Sequence, residues 1–176
     1  LTATDLQIIG YKGSDLVGDG AGVNGLQIVG RPAQTVAAEV VDQHIFYNNS
    51  AFDGGTPSGD PLDDQAIDPG VEALRPGGGV LPENYTSYTR GINGVMVDIA
   101  GLMNPDDVDL LTFDSYFAFR AGDGGNPGDW TQTADPTFVA ARQGAGDSQR
   151  VSIVWDDYAI VNEWLEVTVL ANNYTG

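Results

Sequence analysis

The apolar stretches of this chain are all short, and almost every one is closed by Gly, Pro, Asn or Asp. Punctuation of that kind interrupts a helical ladder and leaves the short strand as the natural unit. Runs rich in β-branched and aromatic side chains fall at residues 6–11, 25–29, 35–47, 85–89, 94–99, 116–120, 137–141, 150–155 and 164–170. In the last of these, Trp164, Glu166, Thr168 and Leu170 alternate with Leu165, Val167 and Val169. A period of two is the mark of a half-buried strand. Helical signal is confined to residues 105–111, where Asn104 can serve as N-cap, Pro105 stands at the first helical position and acidic residues follow. With 24 Gly and 9 Pro in 176 residues, turn residues are frequent enough to separate many strands. The expected fold is all-β, an antiparallel β-sandwich of jelly-roll or immunoglobulin-like type with one short helix at most. A single domain spanning residues 1–176 is expected from the length.

Near the start, LQIIG at 6–10 returns as LQIVG at 26–30. Stacked solenoids need about three copies or more to bury a shared core. Two copies read better as the strands of a hairpin, with residues 18–25 as its loop.

Charge narrows the partners. Twenty-five acidic residues against seven basic ones give a formal net charge of −18. Phosphate backbones and anionic membrane surfaces are repelled by such a surface, which excludes nucleic acid as a partner. The same carboxylates are oxygen ligands for hard divalent cations. No cysteine is present, so disulfides, zinc-thiolate sites and Cys nucleophiles are ruled out. No apolar run approaches the roughly 20 residues of a membrane-spanning helix. A chain that opens on Leu1 is expected to be a processed or excised piece of something longer, with room upstream for a signal peptide.

Catalytic signatures are lacking. None of the glycine-rich stretches has the GxxxxGK[ST] pattern, nor a GxGxxG that opens a helix in a βαβ unit. His44 is the only histidine and lies in the strand-like QHIFY run. There is no GxSxG elbow to give it a serine partner. Paired carboxylates for glycoside hydrolysis are abundant by composition alone, so their presence carries no information.

The segment NNSAFDGGTPSGDPLDDQAID concentrates Asn49, Asp53, Asp60, Asp63, Asp64 and Asp68, together with Asn48, between two strand-like runs. Calcium takes six to eight oxygens at about 2.3–2.6 Å, and a Gly/Pro-rich loop can wrap carboxylates, amides and carbonyls round one point. Calcium is therefore the expected cofactor, with Asp53 and Asp64 foremost because both stand near strand ends, although the spacing is not that of an EF-hand. A second acidic loop at 121–130 offers Asp123, Asn126 and Asp129. Tyr85, Tyr88, Trp130 and Trp164 lie beside polar or turn residues, where aromatic faces can stack on sugar rings. A carbohydrate site built from Tyr88 and Trp130 as platforms, with Arg90, Asp123 and Asn126 as hydrogen-bonding groups, follows as an expectation.

IFYNNSAFDG, DDQAIDP, ALRPG, NYTSYTRGINGVMVDIAGL, FAFRAG and RQGAGDSQRVSIVWDDYAIVNEWLEVTVLANNYTG together cover about three quarters of the chain. They resemble a recurrent domain of very large secreted proteins in planctomycetes and related aquatic bacteria. In that family the domain commonly precedes a dockerin-like calcium-binding repeat, often behind polysaccharide-active or adhesion modules. Asn49, Asp53, Asp64, Tyr88, Arg90, Asn93 and Asp98 match its recurring polar positions, whereas NPDDVDLLTFDS departs from the pattern. The resemblance implies an extracellular accessory domain, and makes the Asn-x-Ser/Thr triplets at 48–50, 84–86 and 173–175 incidental.

These readings converge on a non-catalytic extracellular or cell-surface module, binding polysaccharide or glycoconjugate or helping to display a neighbouring domain. One alternative is a structural or adhesive subunit of a filament, surface layer or matrix, recognisable by self-association. A small polysaccharide hydrolase or lyase is the other, and it requires a concave cleft with convergent polar groups.

Overall fold

The structure, a computed structural model, describes residues 4–8 and 28–32 as backbone, and residues 38–56, 60–123, 126–172 and 175 with their surroundings. It falls into two compact units, Leu1–Val36 and Ala37–Gly176. In the first, β1 (Thr4–Ile8) pairs antiparallel with β2 (Ile28–Pro32), and Leu6 lies opposite Gly30. Residues 6–8 of the first glycine-ended run and 28–30 of the second are therefore partners in one ladder. The expected hairpin loop at 18–25 lies outside the described residues.

The second unit is an all-β antiparallel sandwich. One sheet has the order β3 (Glu39–Ile45), β4 (Gly94–Ala100), β8 (Ser148–Val154), β7 (Phe138–Gln143). The other has the order β6 (Thr131–Gln132), β5 (Phe117–Gly122), β9 (Trp164–Val169). Strand alternation decides which side chains meet between them. Val95, Val97 and Ile99 of β4, Val151 and Ile153 of β8, and Phe117 and Phe119 of β5 all enter the shared core. Leu165, Val167 and Val169 pack against it from β9, the apolar face expected from their period. Trp155, 1 % exposed, sets its ring edge-on to Phe119 at 5.0 Å and donates its indole N–H to the Ala134 carbonyl at 2.9 Å. Burying an apolar side chain of this size contributes about 1.5–3 kcal/mol relative to exposure, so this layer dominates the favourable side of folding.

β4 is buried on both faces. Met96 and Asp98 point away from the sandwich core, as do Arg150, Ser152 and Val154 of β8 and Arg142 of β7, following the registers Asp98↔Arg150, Met96↔Ser152 and Arg142↔Arg150. A bulge on β3 adds to this outer face, because the register shifts between Val40 and Asp42. Val40 thus faces Ile99 and packs on the core, while Asp42 lies opposite Asp98 and His44 opposite Met96. Without the extra residue, all three would share one face.

Two expectations need correction. Residues 105–111 do not form an α-helix; only Pro105–Asp107 is helical, as a three-residue 3-10 element. Asn104 adopts a left-handed φ of 52° and makes no side-chain cap, and the Asp109 carboxylate takes the Leu111 N–H at 2.7 Å, a local bond that competes with the helical ladder. Residues 85–89 are not a strand: the Thr86 hydroxyl takes the Tyr88 N–H at 3.2 Å, and a turn follows. The other expected strands are present where they are described, residues 9–11, 25–27 and 35–37 of the expected runs lying outside the described residues, and two-residue β6 is an addition.

Candidate functional site: a polar cap loop and an aromatic groove

The outer face of the four-stranded sheet is covered by residues 46–56 and 60–68, here called the cap loop. Its ends close on each other through the Phe46–Ile67 bridge, the Tyr47 N–H to Ala66 carbonyl bond at 3.0 Å and the Asp68 N–H to Ile45 carbonyl bond at 3.0 Å. Phe46 and Ala66 form a small second core with Met96 and Val154, and Phe138 and Ile67 pack against it. This apolar plug seats the loop on the sheet.

Beside the plug lies a charged cluster. Arg142 and Arg150 sit directly opposite on neighbouring strands, an arrangement that is repulsive unless an anion lies between. Asp64 supplies it, accepting from Arg142 and, at 2.7 Å, from Arg150 through the same oxygen. Arg150 also grips the buried Asp98 with two bonds of 2.7 Å. Burial pushes the Asp64 carboxyl up, but hydrogen bonds to Arg142 and Arg150 outweigh it and hold the group below the usual carboxylate range. Hydrogen bonding to Asp98 raises Arg150 further above its normal value. Asp42, His44 and Asp98 also approach one another closely enough to suggest a metal. The Arg150 guanidinium argues against a cation there, since it holds both Asp98 oxygens and lies 3.2 Å from His44 Nε2.

The six expected calcium ligands separate into different roles. Asp64 is engaged by the arginines. Asp68 accepts from the Tyr47 hydroxyl and, at 2.8 Å, from the Gly70 N–H. Asn49 is exposed with a φ of 56°, and its carbonyl accepts from Arg90 at 2.9 Å. Asp60 caps the 3-10 turn Pro61–Ala66 by accepting from the Leu62 N–H at 2.7 Å. Asp53 and Asp63 behave differently, because both are 0 % exposed. One oxygen of each has a backbone donor: Gly55 N–H to Asp53 Oδ1 at 2.8 Å, and Asp60 N–H to Asp63 Oδ2 at 2.9 Å. The second oxygen of each, and Oδ1 of Asn48 at 5 % exposure, is buried with no hydrogen-bond partner among the described residues. Burial pushes the Asp63 carboxyl up to about 7; the Asp60 N–H and the Arg142 charge oppose this, and the charges of Asp60 and Asp53 reinforce it.

A groove of about 1570 Å³ runs past the edges of β3 and β9. Tyr85, Tyr88, Trp130 and Trp164 line it, with the carboxylates of Asp123, Glu163 and Glu166. Tyr85 packs on Trp164 with ring centroids 4.8 Å apart, and Tyr88 packs on Tyr47 at 4.3 Å. The half-buried indole of Trp130 lies over Gly122, where any Cβ would meet its Cδ1 at 2.3 Å. Tyr88 opens a tight turn closed by the Gly91 N–H at 3.0 Å, and Gly91 holds a φ of 81° against the Ile160 carbonyl. Of the expected sugar-binding residues, Tyr88, Asp123 and Trp130 therefore share one groove. Arg90 is instead committed to the Asn49 carbonyl and Asp157, and Asn126 accepts from the Gly128 N–H at 3.1 Å. Glu163 was not among the expected site residues, and an exposed Glu gives no sequence signal of its own.

Cap loop and groove wall are joined. Asn93 binds the Asn48 backbone on both sides, accepting at 3.2 Å and donating at 2.9 Å, and the Tyr47 hydroxyl meets the Thr86 hydroxyl at 2.9 Å. No helix among the described residues is long and apolar enough to cross a membrane. Comparison with protein families, curated proteins and solved structures found no match to this chain.

Proposed function

We propose that this chain is a non-catalytic extracellular module that holds polysaccharide in the aromatic groove, as an accessory or display domain of a larger secreted protein. The observation that carries this reading is the convergence of four aromatic residues from separate segments, residues 85–88, 130 and 164, on one open groove that acidic residues also line. Aromatic faces cover the apolar faces of sugar rings while carboxylates accept from hydroxyls. A net charge of −18 favours neutral glycans over uronic or sulfated ones by simple repulsion.

A glycan array, followed by affinity electrophoresis in the polysaccharides that score, tests the proposal. Retention on neutral polysaccharide, lost in Trp130→Ala and in Tyr88→Ala while the fold is kept, is the expected result. No retention on any glycan, or retention indifferent to both substitutions, would overturn it.

A further inference from the structure

We infer that the cap loop holds a calcium ion between Asp53 and Asp63, with the side-chain amide oxygen of Asn48 as a further ligand. The inference stands apart from the glycan reading and rests on burial. A fully buried carboxylate with one oxygen left without a donor is costly, because desolvation is not repaid. Here two such carboxylates occur in one loop, each 0 % exposed and each with one unpartnered oxygen among the described residues. They lie near enough for the charge of Asp53 to act on Asp63. The arginines that reach this stretch are already used: Arg142 and Arg150 are both bound to Asp64, and Arg90 to the Asn49 carbonyl and Asp157.

The third orphan atom points to the class of ligand. Asn48 Oδ1 is an acceptor in a buried position with no donor facing it among the described residues, and an amide oxygen has no charge for a neighbouring side chain to neutralise. A single cation reaching the three oxygens would satisfy them together. Two carboxylates and an amide form an all-oxygen set, which suits calcium and disfavours zinc or copper. Backbone carbonyls of the loop and water would complete the six to eight positions calcium requires. Backbone geometry is compatible with wrapping: Asn49, Gly54 and Gly55 take positive φ values of 56°, 77° and 73°, and the Gly55 N–H closes on the Ser50 carbonyl at 2.8 Å.

Calcium chloride titrated into chelator-treated full chain, read by calorimetry and thermal unfolding, tests the site. The account predicts saturable binding and a rise in melting temperature of about 5–10 °C at a hundredfold excess over Kd, with magnesium at least tenfold weaker. Asp53→Asn and Asp63→Asn retain the acceptors for Gly55 and Asp60 but remove a charge. Each should unfold no earlier than the unsubstituted chain in chelator, yet bind calcium at least tenfold more weakly. Asp106→Asn, an exposed carboxylate elsewhere, should bind normally. Absence of any calcium response would overturn the inference, as would a response equal in Asp53→Asn, Asp63→Asn and the unsubstituted chain, which marks diffuse attraction to an acidic surface. A chain that ignores calcium but gains stability from Asp63→Asn would show that a proton, not a metal, relieves the pair.

Discussion

The two layers that cover β4 are built on opposite principles. On its inner face Val95, Val97 and Ile99 meet the aromatic side chains of β5, and the contact is apolar throughout. On its outer face the cap loop brings Phe46, Ala66, Asp64 and the buried Asp53 and Asp63 over a sheet surface that carries Asp98, Arg142 and Arg150. An apolar layer is indifferent to pH and ions, whereas a buried polar layer is only as stable as the partners its charges find. The sandwich is therefore the invariant part of the molecule, and the cap loop is the conditional part.

The largest expected effect lies in the inner layer. Trp155→Ala removes a fully buried indole, its edge-on contact with Phe119 and its hydrogen bond, and should cost about 3–5 kcal/mol. Urea unfolding should show the same loss in chelator and in calcium; a loss that calcium alters would blur the division between layers. Arg150→Ala comes next. It leaves Asp98 buried without its partner and leaves Asp64 to Arg142 alone, and should cost about 3 kcal/mol, with salt weakening the difference only slightly. A cost near zero would mean the arginine cluster does not seat the loop.

Adjacent carboxylates of the cap loop should titrate with opposite signs. Asp63 is raised to about 7 in the fold from an ordinary value of 3.8, so the native state binds its proton more tightly than the unfolded chain does. Without metal, that contribution is fully present below about pH 4 and is lost as pH rises to about 7, on the order of 4 kcal/mol. Asp64 is lowered, so its contribution is present above its unfolded value and is lost as pH falls toward its folded one. Stability measured in chelator from pH 3 to 8 should thus flatten above pH 4 in Asp63→Asn and below pH 4 in Asp64→Asn. If both substitutions flatten the same limb, the assignment of these environments is wrong. The smallest expected effect on stability is that of Trp130→Ala, about 1 kcal/mol for a half-buried ring, accompanied by loss of polysaccharide retention.

Strand identity was legible wherever one residue class alternated with another, as in Leu165, Val167 and Val169, because the pleat alone fixes the face. The β3 bulge was not, since Val40, Asp42 and His44 carry no mark of where one extra residue is inserted. Residues 85–89 misled for a related reason: Tyr85 and Tyr88 have strand-like character but pack their rings on Trp164 and Tyr47. Within the acidic segment, composition located the right loop without ranking its members. Asp63 and Asp64 are neighbours, yet one turns beneath the loop and the other toward two arginines on different strands. That distinction depends on long-range pairing between β7 and β8, which no local pattern encodes.

Hydrogen exchange with and without calcium measures the division between the two layers most directly. The Tyr47 and Gly55 amides bond within the cap loop, to the Ala66 and Ser50 carbonyls, while Val97 and Val151 face each other in the β4–β8 ladder. Removal of calcium is predicted to speed exchange at Tyr47 and Gly55 at least tenfold and to leave Val97 and Val151 unchanged. Equal rates in the cap loop under both conditions, or a matching acceleration in the ladder, would contradict the account.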